Sequence, residues 1–192
     1  MQVSFVKRIL VFIAVYTGGI LMNVSAQSND HPWITTEDPY EHFHVSFPHH
    51  PTHMAFDIPL ENTEQLGKLN VYSAPFGNQL LMFCSLYSPT FKGPEATVKQ
   101  FQEIFYTFII KRMFYQPKVF KKEAIYSQKN IQFQGMPGIR FELQYNEHGT
   151  EKKLSGLATF KDSKIHILFY LAPKGNFDEI ILENFIGSFK QP

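Results

Sequence analysis

A single cysteine, Cys84, in 192 residues removes an intramolecular disulfide and every multi-cysteine metal centre from consideration. It stands in the apolar run from Leu80 to Tyr87, where a thiol is expected to be buried and inert. Excess charge of one sign is missing too. The 18 Lys and Arg residues against 17 Asp and Glu residues leave a net charge of +1, with no run of five like charges. Nucleic-acid binding and a polybasic membrane patch both need clustered positive charge, so neither is expected. No nucleophile elbow, His-Glu-x-x-His pair, Walker loop or dinucleotide-binding glycine pattern occurs. The chain also lacks an apolar run of the roughly 20 residues needed to cross a bilayer.

What the chain does carry begins at its N-terminus. Lys7 and Arg8 precede an apolar run of 14 residues from Ile9 to Met22, broken only by Thr17, Gly18 and Gly19, and Val24-Ser25-Ala26 follows. A basic start, a short apolar stretch and small residues at the end describe a cleavable secretory signal. Cleavage after Ala26 is expected, with Gln27 as the mature N-terminus and no stable membrane anchor remaining. No cysteine stands at that junction to receive a lipid. The expected destination is the periplasm or the extracellular space, with the remaining chain long enough for one domain and too short for two.

Residues 27–39 are polar, contain two prolines and follow neither hydrophobic period, so they read as a flexible leader on which Trp33 can dock. The domain is expected to span 40–192. Phe43, Val45 and Phe47 alternate with His44 and Ser46 as a half-buried strand, and a short strand follows around 54–58. Leu69 to Phe76 and Gln79 to Tyr87 flank Gly77-Asn78, a hairpin signal. Gly93-Pro94-Glu95 starts a long helix in which Val98, Phe101, Phe105, Phe108 and Ile109 form one apolar stripe, stopped at Gln116-Pro117. Ile139 to Tyr145, Lys152 to Lys161 and Ile165 to Leu171 form an antiparallel meander, the last strand apolar enough to be covered on both faces. A closing helix capped by Asn176 presents Ile181, Phe185 and Phe189. The class is α+β, an antiparallel sheet sandwich with two main helices packed on the sheet.

Six of the eight histidines fall between residues 31 and 53, and this is the one cluster that suggests chemistry. With Phe43, Val45 and Phe47 pointing inward, His42 and His44 are expected side by side on the opposite face of the strand. Imidazoles at that spacing suit Zn²⁺, Cu²⁺ or Ni²⁺, with His49, His50 or His53 completing the ligand set. The competing reading is a set of solvated histidines on a strand face and in a proline-punctuated loop. Gly135-Met136-Pro137-Gly138 lacks the lysine and helix start of a phosphate loop and is expected to shape a turn. Asp57 and Glu61 read as surface charge.

The order of elements, opening on Phe43-x-Val45-x-Phe47-Pro48 and passing through a hairpin, a long helix and Gly135-x-Pro137-Gly138-x-Arg140-x-Glu142 into a meander, resembles the PsbP and DcrB type of α/β sandwich. The likeness extends from about Tyr40 to Phe189. It implies a non-catalytic exported module that binds or helps assemble other proteins of the cell envelope, and it transfers no functional residue. Trp33, Tyr40, Phe91, Tyr106 and Tyr115 are the aromatics expected to contribute to an interface. The alternatives are a periplasmic transition-metal-binding protein using the histidines, and an exported hydrolase whose catalytic groups converge without a linear motif.

Overall fold

Side chains of alternating character run along strand after strand, and the consequence is a seven-stranded sheet with two apolar faces. A computed structural model of the chain describes residues 32–38, 41–59, 66–87, 125–147, 149–161 and 163–192. The strands are β1 (Ile34–Glu37), β2 (His44–Phe47), β3 (Thr52–Pro59), β4 (Leu66–Phe76), β5 (Gln79–Tyr87), β6 (Ile125–Phe133), β7 (Met136–Glu147), β8 (Thr150–Lys161) and β9 (Lys164–Pro173). The described residues also include an α-helix, α1 (Glu179–Ser188), preceded by a 3₁₀ turn at Lys174–Asn176. The large sheet has the order β3-β4-β5-β9-β8-β7-β6, every neighbouring pair antiparallel, while β1 and β2 form a separate two-stranded ribbon.

The expected hairpin is β4–β5, turned at Gly77, whose φ of 58° is one that glycine adopts without a steric penalty. The expected meander is β7–β8–β9. Strand β9 sits at the centre of the sheet and holds eight consecutive buried residues, as its unbroken apolar sequence requires.

Two apolar clusters lie on opposite faces. On one, β2 contributes Phe43 nearby with Val45 and Phe47, and α1 contributes Leu182, Phe185 and Ile186, all packed over Tyr72, Phe83, Leu168 and Tyr170 of the sheet. Phe47 and Phe185 meet at 5.3 Å between ring centroids. Each such buried side chain contributes roughly 2 to 3 kcal/mol of hydrophobic stabilisation. On the other face Cys84, Ile139, Phe141, Leu143, Ile165, Ile167 and Phe169 are buried. The sheet-rich α+β class is thus observed, with one α-helix among the described residues. The long helix expected between Glu95 and Gln116 lies outside them, as do residues 1–31.

Two details differ from expectation, and a third adds to it. Ile34–Glu37, placed above in a flexible leader, is strand β1 and pairs with β2, and Trp33 packs against the α1-side cluster. The closing helix is capped by Asp178, whose carboxylate accepts the Ile180 amide at 2.8 Å, and not by Asn176, which lies in the preceding 3₁₀ turn. Strand β6 lies in the stretch from Val119 onward that reads as mostly extended, without bounds or a partner, and it pairs along its whole length with β7. Among the described residues no helix is long and apolar enough to cross a membrane.

Candidate functional site

Among the described residues, a group of hydrogen-bonded polar side chains lies where the β1–β2 loop meets the α1 side of the sheet. Alternation from Tyr72, Phe83 and Leu168 places Asn70, Ser85 and His166 on this same face, in one row across β4, β5 and β9. The loop descends onto that row. Asp38, fully buried, accepts the Glu41 amide at 2.6 Å on one carboxylate oxygen and the Tyr72 hydroxyl on the other. Its backbone closes the loop as well, with the Asp38 amide donating to the Phe43 carbonyl at 3.0 Å and the His42 amide donating to the Asp38 carbonyl at 2.9 Å.

Glu41 extends the group. It accepts the Ser85 hydroxyl at 2.8 Å, and its carboxylate lies 3.6 Å from the Lys164 ammonium. Ser85 is fully buried. A serine hydroxyl beside a carboxylate resembles a nucleophile with its base, but here the carboxylate is held by a lysine and the hydroxyl has no access to solvent. The arrangement therefore ties the loop to the sheet and offers no attacking group to a substrate.

His166 lies beneath the C-terminal residues. Its ring stacks on Phe83, centroids 5.9 Å apart and 13° from parallel, and sits 5.2 Å from the Phe189 ring. Its Nδ1 accepts the Gln191 side-chain amide at 3.0 Å in the tautomer that this donor requires. Burial, reinforced by the positive charges of Lys164 and Lys161, pushes its pKa down to about 3, so the imidazole is neutral near pH 7. The Cys84 thiol, buried on the opposite face, is pushed up to about 12 by desolvation and is inert as the sequence indicated.

The histidines are not gathered. Strand β2 begins at His44, two residues after the left-handed turn at His42 with φ of 54°, so the two do not continue one strand. His42 is exposed with Nδ1 3.2 Å from Glu37. His44 exchanges two backbone hydrogen bonds with Lys190, each 2.9 Å, and so binds the C-terminal residues to β2. His49 directs Nε2 at the Pro75 carbonyl, 2.6 Å away, and Nδ1 at the His50 carbonyl, 3.0 Å away. His50 is exposed. His53, on β3, stacks on Tyr72 at 4.3 Å and 12°, with Nε2 3.3 Å from Asn70. Among the described residues no three His, Cys, Asp or Glu side chains come together in a group that could hold a metal ion.

Of the aromatics named from sequence, Trp33 is half-buried and the other four lie outside the described residues. Gly135 and Gly138 belong to the β6–β7 turn and the start of β7, as expected of turn glycines. Asp57 is exposed on β3, and Glu61 lies outside the described residues. Sequence reasoning missed Asp38, Glu41 and His166. The burial signal of β9 pointed to His166, whereas nothing local marked the two acids.

No family model matches the sequence, and no curated protein matches it. Solved structures do resemble it. Cyanobacterial PsbP (CyanoP) from Synechocystis sp. PCC 6803 aligns over 88% of this chain and 99% of its own, with a TM-score of 0.50 at 9% identity. The fold is PsbP-like. LpqN, involved in cell envelope biogenesis of Mycobacterium tuberculosis, aligns over 82% of this chain and 86% of its own at 8% identity and a TM-score of 0.39. A protein of unknown function from Pseudomonas aeruginosa covers 75% of this chain and 85% of its own at 8% identity, with a TM-score of 0.34. At such identities the likeness to PsbP concerns architecture, not chemistry.

Proposed function

We propose that this chain is an exported accessory domain of the cell envelope, one that acts by binding another protein and performs no chemistry of its own. The observation that carries the reading is the use made of the reactive groups in the polar corner and the core of the described residues. Ser85, His166 and Cys84 are buried within the packing, and Asp38 and Glu41 are occupied in holding the β1–β2 loop. A catalytic site needs such groups at a surface a substrate can reach. Export is supported by the basic, apolar and small-residue order of the first 26 residues, and the PsbP-like fold is compatible with a binding module.

The test is expression of the full chain in an envelope-bearing host, followed by N-terminal sequencing, fractionation and cross-linked affinity capture. The expected result is a mature protein starting at Gln27 outside the cytosol, with a specific partner captured equally by wild type and by Ser85→Ala. Retention of Met1 with cytosolic markers would overturn the export reading. A hydrolytic activity abolished by Ser85→Ala would overturn the non-catalytic one.

A further inference from the structure

The uninterrupted register of the sheet places one more row of side chains beyond Ser85 and His166 on the α1 side. Asp57 pairs with Lys68, Lys68 with Tyr87, Tyr87 with Lys164, and Lys164 with Lys161, across β3, β4, β5, β9 and β8. Their sequence neighbours Phe56, Leu69, Leu86, Ile165 and Phe160 belong to the opposite cluster, so all five row members share the α1 face. Lys68 and Lys161 are exposed, and Tyr87 is one of two large exposed apolar residues in the described part of the chain, at 37%.

The cations on the sheet's α1 face are paired to different degrees, and exposed Lys129, the register partner of Arg140, makes no ion pair among the described residues. Arg140 faces Glu183, and Lys153 faces Glu142 and Glu179, the cation satisfied in each case. In the row, Lys164 is shared with Glu41, while Lys68 and Lys161 make no ion pair among the described residues.

We propose that Lys68, Tyr87, Lys164 and Lys161 form a docking strip for an acidic, extended segment of a partner protein. The inference rests on the reading of this chain as a binding module and names the chemistry of what it binds. Strands lie about 4.8 Å apart, so Lys68 and Lys161 stand roughly 14 Å from one another with Tyr87 between them. An extended peptide advances about 3.3 Å per residue, which matches carboxylates four positions apart. Residues i, i+2 and i+4 share one side of such a segment, so an apolar side chain at the centre lies toward Tyr87. A flat anionic lipid surface would meet Asp57 and Glu41 together with the lysines, whereas an extended segment sets its carboxylates against Lys68 and Lys161 and its apolar residue between them.

The test is fluorescence anisotropy with the mature full-length protein and a labelled peptide carrying two glutamates four positions apart around a central leucine. A lysine-for-glutamate peptide serves as control. Expected is saturable binding of the acidic peptide alone, weakened by raising salt, and weakened about tenfold or more by Lys68→Glu with Lys161→Glu. Both lysines are exposed, so the variant is expected to keep the wild-type melting temperature, and Tyr87→Ala provides a second variant that weakens binding without changing charge. Binding unaffected by the charge reversal, or binding to phosphatidylglycerol vesicles in place of the peptide, overturns the proposal. Captured partners that associate equally with wild type and the charge-reversed variant also overturn it while leaving the binding-module reading intact.

Discussion

The Tyr72 hydroxyl donates to the buried carboxylate of Asp38, joining the β1–β2 loop to β4 across 34 positions of sequence. A buried carboxylate must be satisfied by donors, and its partners stabilise the fold mainly because leaving it without them is costly. Tyr72→Phe is therefore expected to lower stability by about 1 to 2 kcal/mol. Asp38→Ala removes the acceptor of the Glu41 amide as well, and the expected loss is about 2 to 3 kcal/mol. Urea denaturation of both single variants and the double variant checks this. Additive losses would show that the pair is not coupled.

Gly156 occupies the middle of β8, where a strand residue ordinarily carries a side chain. A Cβ there would stand 2.2 Å from the Leu168 carbonyl oxygen and 2.8 Å from both Phe141 and Phe169. The backbone oxygen cannot rotate away, so Gly156→Ala forces β8 and β9 apart at the centre of the sheet. The expected cost is about 2 to 3 kcal/mol, read as a lower urea midpoint. Gly187→Ala, with open space at its Cβ on α1, is expected to be neutral or stabilising, by up to about 1 kcal/mol.

The sheet was legible where side chains alternate between two environments. Ile139, Phe141 and Leu143 point to one cluster while Arg140 and Glu142 face the other side, and Gly77 marks the hairpin. Strand β6 was legible only as extended chain, without bounds or partner, because Ser127, Gln128, Lys129 and Asn130 are all exposed on a strand with a described neighbour on one side only, and no alternation is required of them. Strand β1 owes its form to pairing with β2, a tertiary cause that four residues cannot announce. The polar corner was invisible for a related reason: Asp38 stands between Glu37 and Pro39 like any surface acid, and only the fold brings Tyr72 to it. The histidine pattern misled at His42, since a strand period was extended one residue past the point where the Asp38 carbonyl turns the chain.

That geometry makes a prediction for metal binding. His42, His44, His49, His50 and His53 are distributed over a turn, a strand start, a loop and β3, with His49 directed at two carbonyl oxygens. A tight site needs three or four ligands converging within about 2.3 Å of one ion. Calorimetric titration of Zn²⁺ into the mature protein is expected to show no site tighter than about ten micromolar. A stoichiometric, tighter site lost in His42→Ala with His44→Ala would mean that these histidines reorganise around a metal.

His166 gives the fold a pH dependence of defined sign. Its pKa falls from 6.5 to about 3 on folding, because burial, then Lys164 and Lys161, oppose the imidazolium. The unfolded chain therefore binds a proton more readily than the folded one throughout that interval, and stability contributed by the neutral ring is complete above pH 6.5 and is lost progressively as pH falls toward 3. The slope approaches about 1.4 kcal/mol per pH unit at its steepest. Among the described residues, the charged and polar groups acting on the ring are Lys161 on β8, Lys164 on β9, itself 3.6 Å from the Glu41 carboxylate, and Gln191 from the C-terminal residues. Urea midpoints measured from pH 7.5 to 4 in wild type and in His166→Gln isolate this contribution, because carboxylate titrations are common to both proteins. The wild type is expected to lose stability more steeply between pH 6.5 and 4.5, and parallel curves for the two proteins would show that the buried ring is not protonated on unfolding in this range.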